Sequence, residues 1–129
     1  MRIALYDSRD GERRVLEDQL CACAREHRRP AKVTVYGRHE DLLRTVERCP
    51  GAFDLFVVAE DGPFSLEVVE FLCRCRPPTP VTWFSDLDFA VRSYACGVAW
   101  FGKKPVCPET VRRAFARALE GRGQPPGSG

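Results

Sequence analysis

The sequence predicts an α/β fold: a doubly wound, five-stranded parallel sheet in the order 2-1-3-4-5, with helices on both faces. Three observations lead to it. Short apolar runs alternate five times with segments whose apolar residues recur at helical spacing. One run, Phe53 to Val58, is apolar at nearly every position, as a strand covered on both faces requires. Glycine, proline or acid clusters close the segments, so the connections are short and the crossovers right-handed. Of the orders open to five such strands, 2-1-3-4-5 is a common one.

The elements follow in order. Arg2 to Tyr6 is a short apolar run bounded by Asp7-Ser8-Arg9-Asp10-Gly11, and reads as the first strand. Asp10 is the expected N-cap of the first helix, in which Leu16, Leu20, Cys23, Ala24 and His27 recur at helical spacing. Arg25, Arg28 and Arg29 crowd its C-terminal end, where positive charge suits the helix dipole, and Pro30 stops it. Lys32 to Tyr36 alternates as a second strand and Gly37 closes it. Leu42, Leu43 and Val46 mark a short second helix ending before Pro50. After the third strand, Phe53–Val58, a third helix carries Leu66, Val69, Leu72 and Cys73 up to Pro77-Pro78. Val81 to Phe84 is the fourth strand. Phe89, Ala90, Val91, Tyr94 and Ala95 suggest a fourth helix stopped by Gly97. Val98 to Phe101 is the fifth strand. Pro108 suits the first turn of a fifth helix, with Val111, Ala114, Phe115, Ala118 and Leu119 on its inner face.

A chain of 129 residues with 44% apolar and 29% charged residues can bury one sizeable core. Residues 1–121 read as that domain, and residues 122–129 as a flexible linker or added tail. The net charge of +2 gives no electrostatic footprint for nucleic acid. No apolar run approaches a membrane span, and the first residues do not resemble a secretory signal, so a cytoplasmic location is expected. Seven cysteines, an odd number lying mostly inside apolar patterns, are expected to be reduced thiols. Cys21-x-Cys23 and Cys73-x-Cys75 are too closely spaced for a zinc pair, because helical residues two apart point in nearly opposite directions. Cys23 and Cys107 each precede an arginine at phosphatase-like spacing, but lack the glycines that wrap a phosphate.

In a sheet of this order the functional crevice lies beyond the C-terminal strand ends, beside the first and third strands. The residues gathered there are Asp7, Ser8, Ala59 and Glu60, with Ser85 after the fourth strand and Lys103 and Lys104 after the fifth.

Over about residues 1–121 these residues resemble the receiver domain of bacterial two-component response regulators, a flavodoxin-like fold. In that family paired acids that hold Mg²⁺ end the first strand; here the pair is Asp7-Ser8. The family's phosphoacceptor aspartate stands five residues after an acid and four before a proline. Counting from Asp54 and back from Pro63 both lead to Ala59. Ser85 matches the family's hydroxyl residue, Lys104-Pro105 its lysine before proline, and Phe101 its switch aromatic.

The resemblance therefore implies a receiver without its nucleophile. Phosphoryl transfer to a carboxylate needs that carboxylate, and a cation to neutralise the crowded oxygens. Ala59 supplies neither nucleophile nor ligand, Ser8 supplies a neutral oxygen, and Asp7 alone is a poor magnesium site. No metal, cofactor or enzymatic activity is expected. Lys104 is left to pair with Asp7, or with Glu60 if that side chain turns inward.

Strand alternation sends Glu60 away from the pocket if Ala59 faces it; a slip of one residue would make Glu60 a mimic of a phosphorylated aspartate. Asp61, in Asp61-Gly62-Pro63, reads as a turn residue. Simpler readings stand beside these: Asp7 as a loop cap, Ser85 as the N-cap of the fourth helix, Lys104 as a solvated charge, and Phe101 as a core aromatic.

The resemblance also implies a contact face built from the fourth helix, fifth strand and fifth helix. Trp100, Arg112, Arg113 and Arg117 would lie on it, unless Trp100 is half-buried against the fifth helix. The function expected is a phosphorylation-independent module that binds a protein partner or itself as a homodimer. It would regulate transcription, with DNA reached only through an output domain outside this sequence. The alternatives are a receiver phosphorylated at Glu60 or Asp61, and a small-ligand binder on a flavodoxin-like fold. The loop Asp7-Ser8-Arg9-Asp10-Gly11 is poor in the hydroxyls and glycines of a flavin-phosphate loop.

Overall fold

The computed structural model describes residues 1–122. Strands and helices alternate: β1 (Arg2–Tyr6), α1 (Asp10–Glu26), β2 (Lys32–Tyr36), α2 (His39–Arg48), β3 (Leu55–Val58), α3 (Ser65–Arg74), β4 (Val81–Ser85), α4 (Ala90–Cys96), β5 (Trp100–Lys103) and α5 (Pro108–Arg122). The strands form one sheet in the order β2-β1-β3-β4-β5, with every pair parallel. This is the predicted architecture. α5 runs to Arg122, and the remainder of the expected tail lies outside the described residues.

Strand side chains alternate between faces, and both faces are apolar. Ile3, Leu5, Val57 and Phe84 pack under α1 and α5, meeting Leu16, Leu20 and Phe115. Ala4, Phe56, Val58 and Trp83 pack on the other side, under α2 and α3, meeting Leu42, Val69 and Leu72. Trp83 is fully buried; its ring stacks on Phe89 at 4.8 Å and meets the edge of Phe101 at 5.2 Å. Such aromatic pairs add stabilisation beyond their buried area.

Several boundaries differ from expectation. Arg9, not Asp10, occupies the N-cap of α1 and makes no side-chain cap. Asp10 is already helical and its carboxylate pairs with Arg13. The turn is organised instead by Asp7, whose Oδ1 accepts the Arg9 N–H at 3.0 Å. β3 begins at Leu55, because Asp54 turns its carboxylate back to the Arg2 N–H at 2.7 Å. β4 extends to Ser85. β5 begins two residues late, at Trp100, because Gly97 adopts φ +79° and the Val98 N–H still bonds back to Ser93. His27 is exposed beyond the end of α1, its ring tilted by 50° against Phe115 at 5.3 Å.

α4 forms where expected but buries little of itself. Ser93 is its only buried residue, while Val91 and Tyr94 are 85% and 91% exposed. The apolar spacing that marked the helix does not mark a core face. All seven cysteines are free thiols; Cys23 is buried, Cys49 and Cys107 are exposed, and the others are half-buried. No helix among the described residues is long and apolar enough to cross a membrane.

Candidate functional site

Beyond the C-terminal strand ends, between α1 and the loop after β5, lies a cavity of about 550 Å³. Asp7 from β1, Ala59 and Asp61 from the end of β3, Asp86 after β4 and Lys104 after β5 all line it. α1 contributes Glu12, Val15 and Leu16, and Val106 closes the side toward α5. Ser8, Glu60 and Ser85 do not line it.

Alternation along β3 fixes this arrangement. Leu55, Val57 and Ala59 belong to the layer under α1 and α5, and Phe56 and Val58 to the other. Ala59 is 2% exposed and presents a methyl group where the strand ends. Glu60 turns outward across β1, where its two carboxylate oxygens accept the Ser8 N–H and the Ser8 hydroxyl, both at 2.7 Å. Burial and the adjacent Glu60 carboxylate push the Tyr6 phenol upward, so it stays protonated. Ser8 is thus engaged with Glu60 and turned from the cavity.

Lys104 pairs with neither Asp7 nor Glu60, the two partners expected for it. Its ammonium lies 2.8 Å from Asp61 Oδ1 and 3.0 Å from Glu12 Oε2. Asp61 Oδ1 is buried and has no donor at hydrogen-bonding angles, so the ammonium beside it is its compensation. The other oxygen, Oδ2, pairs with Arg9 at 3.1 Å. Burial pulls the Lys104 ammonium down, but contacts with Asp61 and Glu12 outweigh it and the net shift is upward, which keeps the charge. Sequence reasoning weighed Asp61 as a turn residue and as an unusual acceptor, and missed it as the partner of Lys104. Its Asp-Gly-Pro setting reads as a turn, and the chain does turn there, with Gly62 at φ +89°. Nothing local signals that the carboxylate folds back over the cavity.

Asp7 is 1% exposed. Its Oδ1 accepts the Arg9 N–H, as a loop cap would, while Oδ2 is buried without a partner. Burial raises its pKa; the Arg9 N–H and the Lys104 charge act the other way and do not cancel it. Ser85 is fully buried but is not the N-cap of α4, a place taken by Phe89. Its hydroxyl accepts the Leu87 N–H at 3.1 Å and lies 3.4 Å from Asp86.

The three residues after Ala59 each join a neighbouring loop. Glu60 holds Ser8, Asp61 holds Arg9 and Lys104, and the Gly62 N–H donates to Asp86 at 2.9 Å.

The Mg²⁺ that the receiver resemblance implies does not suit these residues. Ala59 offers no ligand, the Ser8 hydroxyl is given to Glu60, and Asp61 is neutralised by Lys104 and Arg9. Among the described residues, the one buried carboxylate oxygen left without a donor or a cation beside it is Asp7 Oδ2, and the paired acids at the end of the first strand that would hold the ion are reduced to Asp7 alone.

On the predicted contact face, Trp100 is half-buried against the layer that includes α5, with its indole N–H buried and unpartnered. Phe101 packs on the opposite layer. Arg112 pairs with Glu109 at 2.9 Å and leans toward Glu26 of α1 at 3.9 Å, away from α4. Arg113 pairs with Glu109 at 3.4 Å, and Arg117 is exposed.

The chain matches no protein-family model and no curated protein. It is similar in structure to a response regulator receiver domain protein from Clostridium thermocellum. The TM-score is 0.77 at 16% identity, covering 95% of this chain and 96% of that one. An orphan response regulator of H. pylori gives a TM-score of 0.66 at 20% identity, covering 96% and 97%. A putative pilus assembly protein from Burkholderia thailandensis gives 0.69 at 19% identity, covering 93% and 98%. At these identities the likeness establishes the fold.

Proposed function

We propose that this chain is a receiver-type signalling module whose state is set without phosphoryl transfer, and that it acts by binding a protein partner or a second copy of itself. One observation carries the reading: the residue that β3 presents to the cavity is Ala59. A methyl group cannot act as a nucleophile. The Lys104 pairs support it, because Asp61 and Glu12 already engage the ammonium that a phosphoryl group would otherwise attract. The contact surface would be the α4–β5–α5 face, where Val91 and Tyr94 stand out from α4 and Arg113 and Arg117 are exposed on α5. Arg112 belongs to the α1 side and Trp100 to the interior, so neither is assigned to that surface. In a longer protein such a module would serve a transcription regulator, with DNA reached through an output domain.

A second reading has one observation in its favour. The Asp61 carboxylate sits beside Lys104 at the cavity, so a carboxylate oxygen could bond to phosphorus as the leaving group departs. Glu60, committed to Ser8, does not share this placement. Incubation with acetyl phosphate and Mg²⁺, followed by intact mass and peptide mapping, separates the readings. The expected result is no phosphoryl adduct. A base-labile adduct on Asp61 would replace the first reading with the second.

A further inference from the structure

The cavity has more than a missing nucleophile to account for. Its walls are largely aliphatic, built from Val15, Leu16, Ala59 and Val106. Four carboxylates line it (Asp7, Glu12, Asp61 and Asp86) against two cations, Arg9 and Lys104, leaving two negative charges in excess. Both cations are already paired with acids from the cavity lining. The unsatisfied group is an acceptor: Asp7 Oδ2, buried and without a partner on a residue 1% exposed. A buried carboxylate oxygen without a donor is costly, and a ligand that supplies one recovers that cost. The volume falls within the usual range of small-molecule sites, about 300–1,000 Å³. A hydrated metal ion would leave the aliphatic walls unused.

We propose that this cavity binds a small organic cation, an amine or amidine on an apolar body of one or two rings. The cationic group donates to Asp7 Oδ2 and the body lies against Val15, Leu16 and Val106. An anionic ligand is disfavoured by the excess negative charge. The proposal goes beyond the signalling reading and does not depend on it, because the loss of a phosphoacceptor neither requires nor excludes a ligand.

The test is a titration of the isotope-labelled chain followed by amide NMR shifts, using three isosteric probes: tryptamine, its neutral alcohol tryptophol, and indole-3-acetate. Magnesium chloride is titrated separately. Tryptamine should shift the amides of Gly11, Leu16, Gln19 and Val106 and bind at least about tenfold more tightly than the other two, as a charge-assisted bond to a buried partner implies. Asp7→Asn should erase the preference for the amine. Val15→Trp, at a position 57% exposed and so tolerant of change, should fill the cavity mouth and weaken tryptamine about tenfold or more. The proposal is overturned if none of the probes moves these amides at millimolar concentration, or if indole-3-acetate binds as well as tryptamine. It is also overturned if Mg²⁺ alone moves them, or if Val15→Trp leaves binding unchanged. A phosphoryl adduct in the mass experiment would count against the signalling reading only.

Discussion

Asp7 shows how one side chain can be well placed and still destabilising. Its carboxyl is buried, and burial raises its pKa above the ordinary value of 3.8. A carboxyl with a raised folded pKa binds its proton more tightly in the native state, so ionising it weakens the fold. The penalty is absent below the ordinary value, grows as pH rises through the folded pKa, and is complete above it. Asp7→Asn should therefore raise the unfolding midpoint at neutral pH, by about 1–2 kcal/mol in urea denaturation. The gain should vanish as pH falls toward 3.8. An unchanged midpoint at neutral pH would mean that the cost of the orphan oxygen is met some other way. The position of Ala59 could be read in the sequence through the family resemblance, because the spacings from Asp54 and from Pro63 both lead to it, and strand alternation then sends Glu60 to the other face. The partners of Lys104 could not. Its pairing with Asp61 and Glu12 depends on where three loops arrive in space, and no local pattern records that.

Among the elements, the strands and α4 itself were legible, with α4 ending at Gly97 as read, but how little of α4 is buried was not. A strand covered on both faces is apolar nearly throughout, as Phe56–Val58 is without exception and Val81–Phe84 is apart from the buried Thr82. A helix of seven residues has room for little more than one inward position, so its spacing cannot separate a core face from an exposed one. Val91 and Tyr94, whose spacing marked the helix, project into solvent. The double substitution Val91→Ser, Tyr94→Ser should change monomer stability by no more than about 0.5 kcal/mol, as expected for surface positions. If α4 is part of the contact face, the same protein should lose self-association or partner capture in sedimentation velocity. A loss of stability without a change in association would remove α4 from the proposed interface. The late start of β5 was also hidden, since the left-handed turn at Gly97 delays entry into the sheet while the sequence from Val98 onward already reads as strand.

For the molecule as a whole, the sheet divides the interior into two layers, and Trp83 anchors the layer beneath α2 and α3 through its contacts with Phe89 and Phe101. Trp83→Ala should cost about 3–5 kcal/mol. The loss should appear as a single shifted transition by circular dichroism, because β4 also carries Phe84 into the other layer. Two separate transitions would show that the layers unfold independently. The short segment Glu60–Gly62, which ties the loops after β1, β4 and β5 together, bears on more than the cavity it borders. Loops at the end of an open sheet are ordinarily among the first parts to open, and their amide hydrogens exchange early. Here one stretch of three residues is held on several sides at once, so releasing any one loop leaves the others in place. The opening that lets deuterium in at this rim should then be a concerted event, slower than fraying of the far end of α4. At that rim the fold would open like a clasp, all at once or not at all.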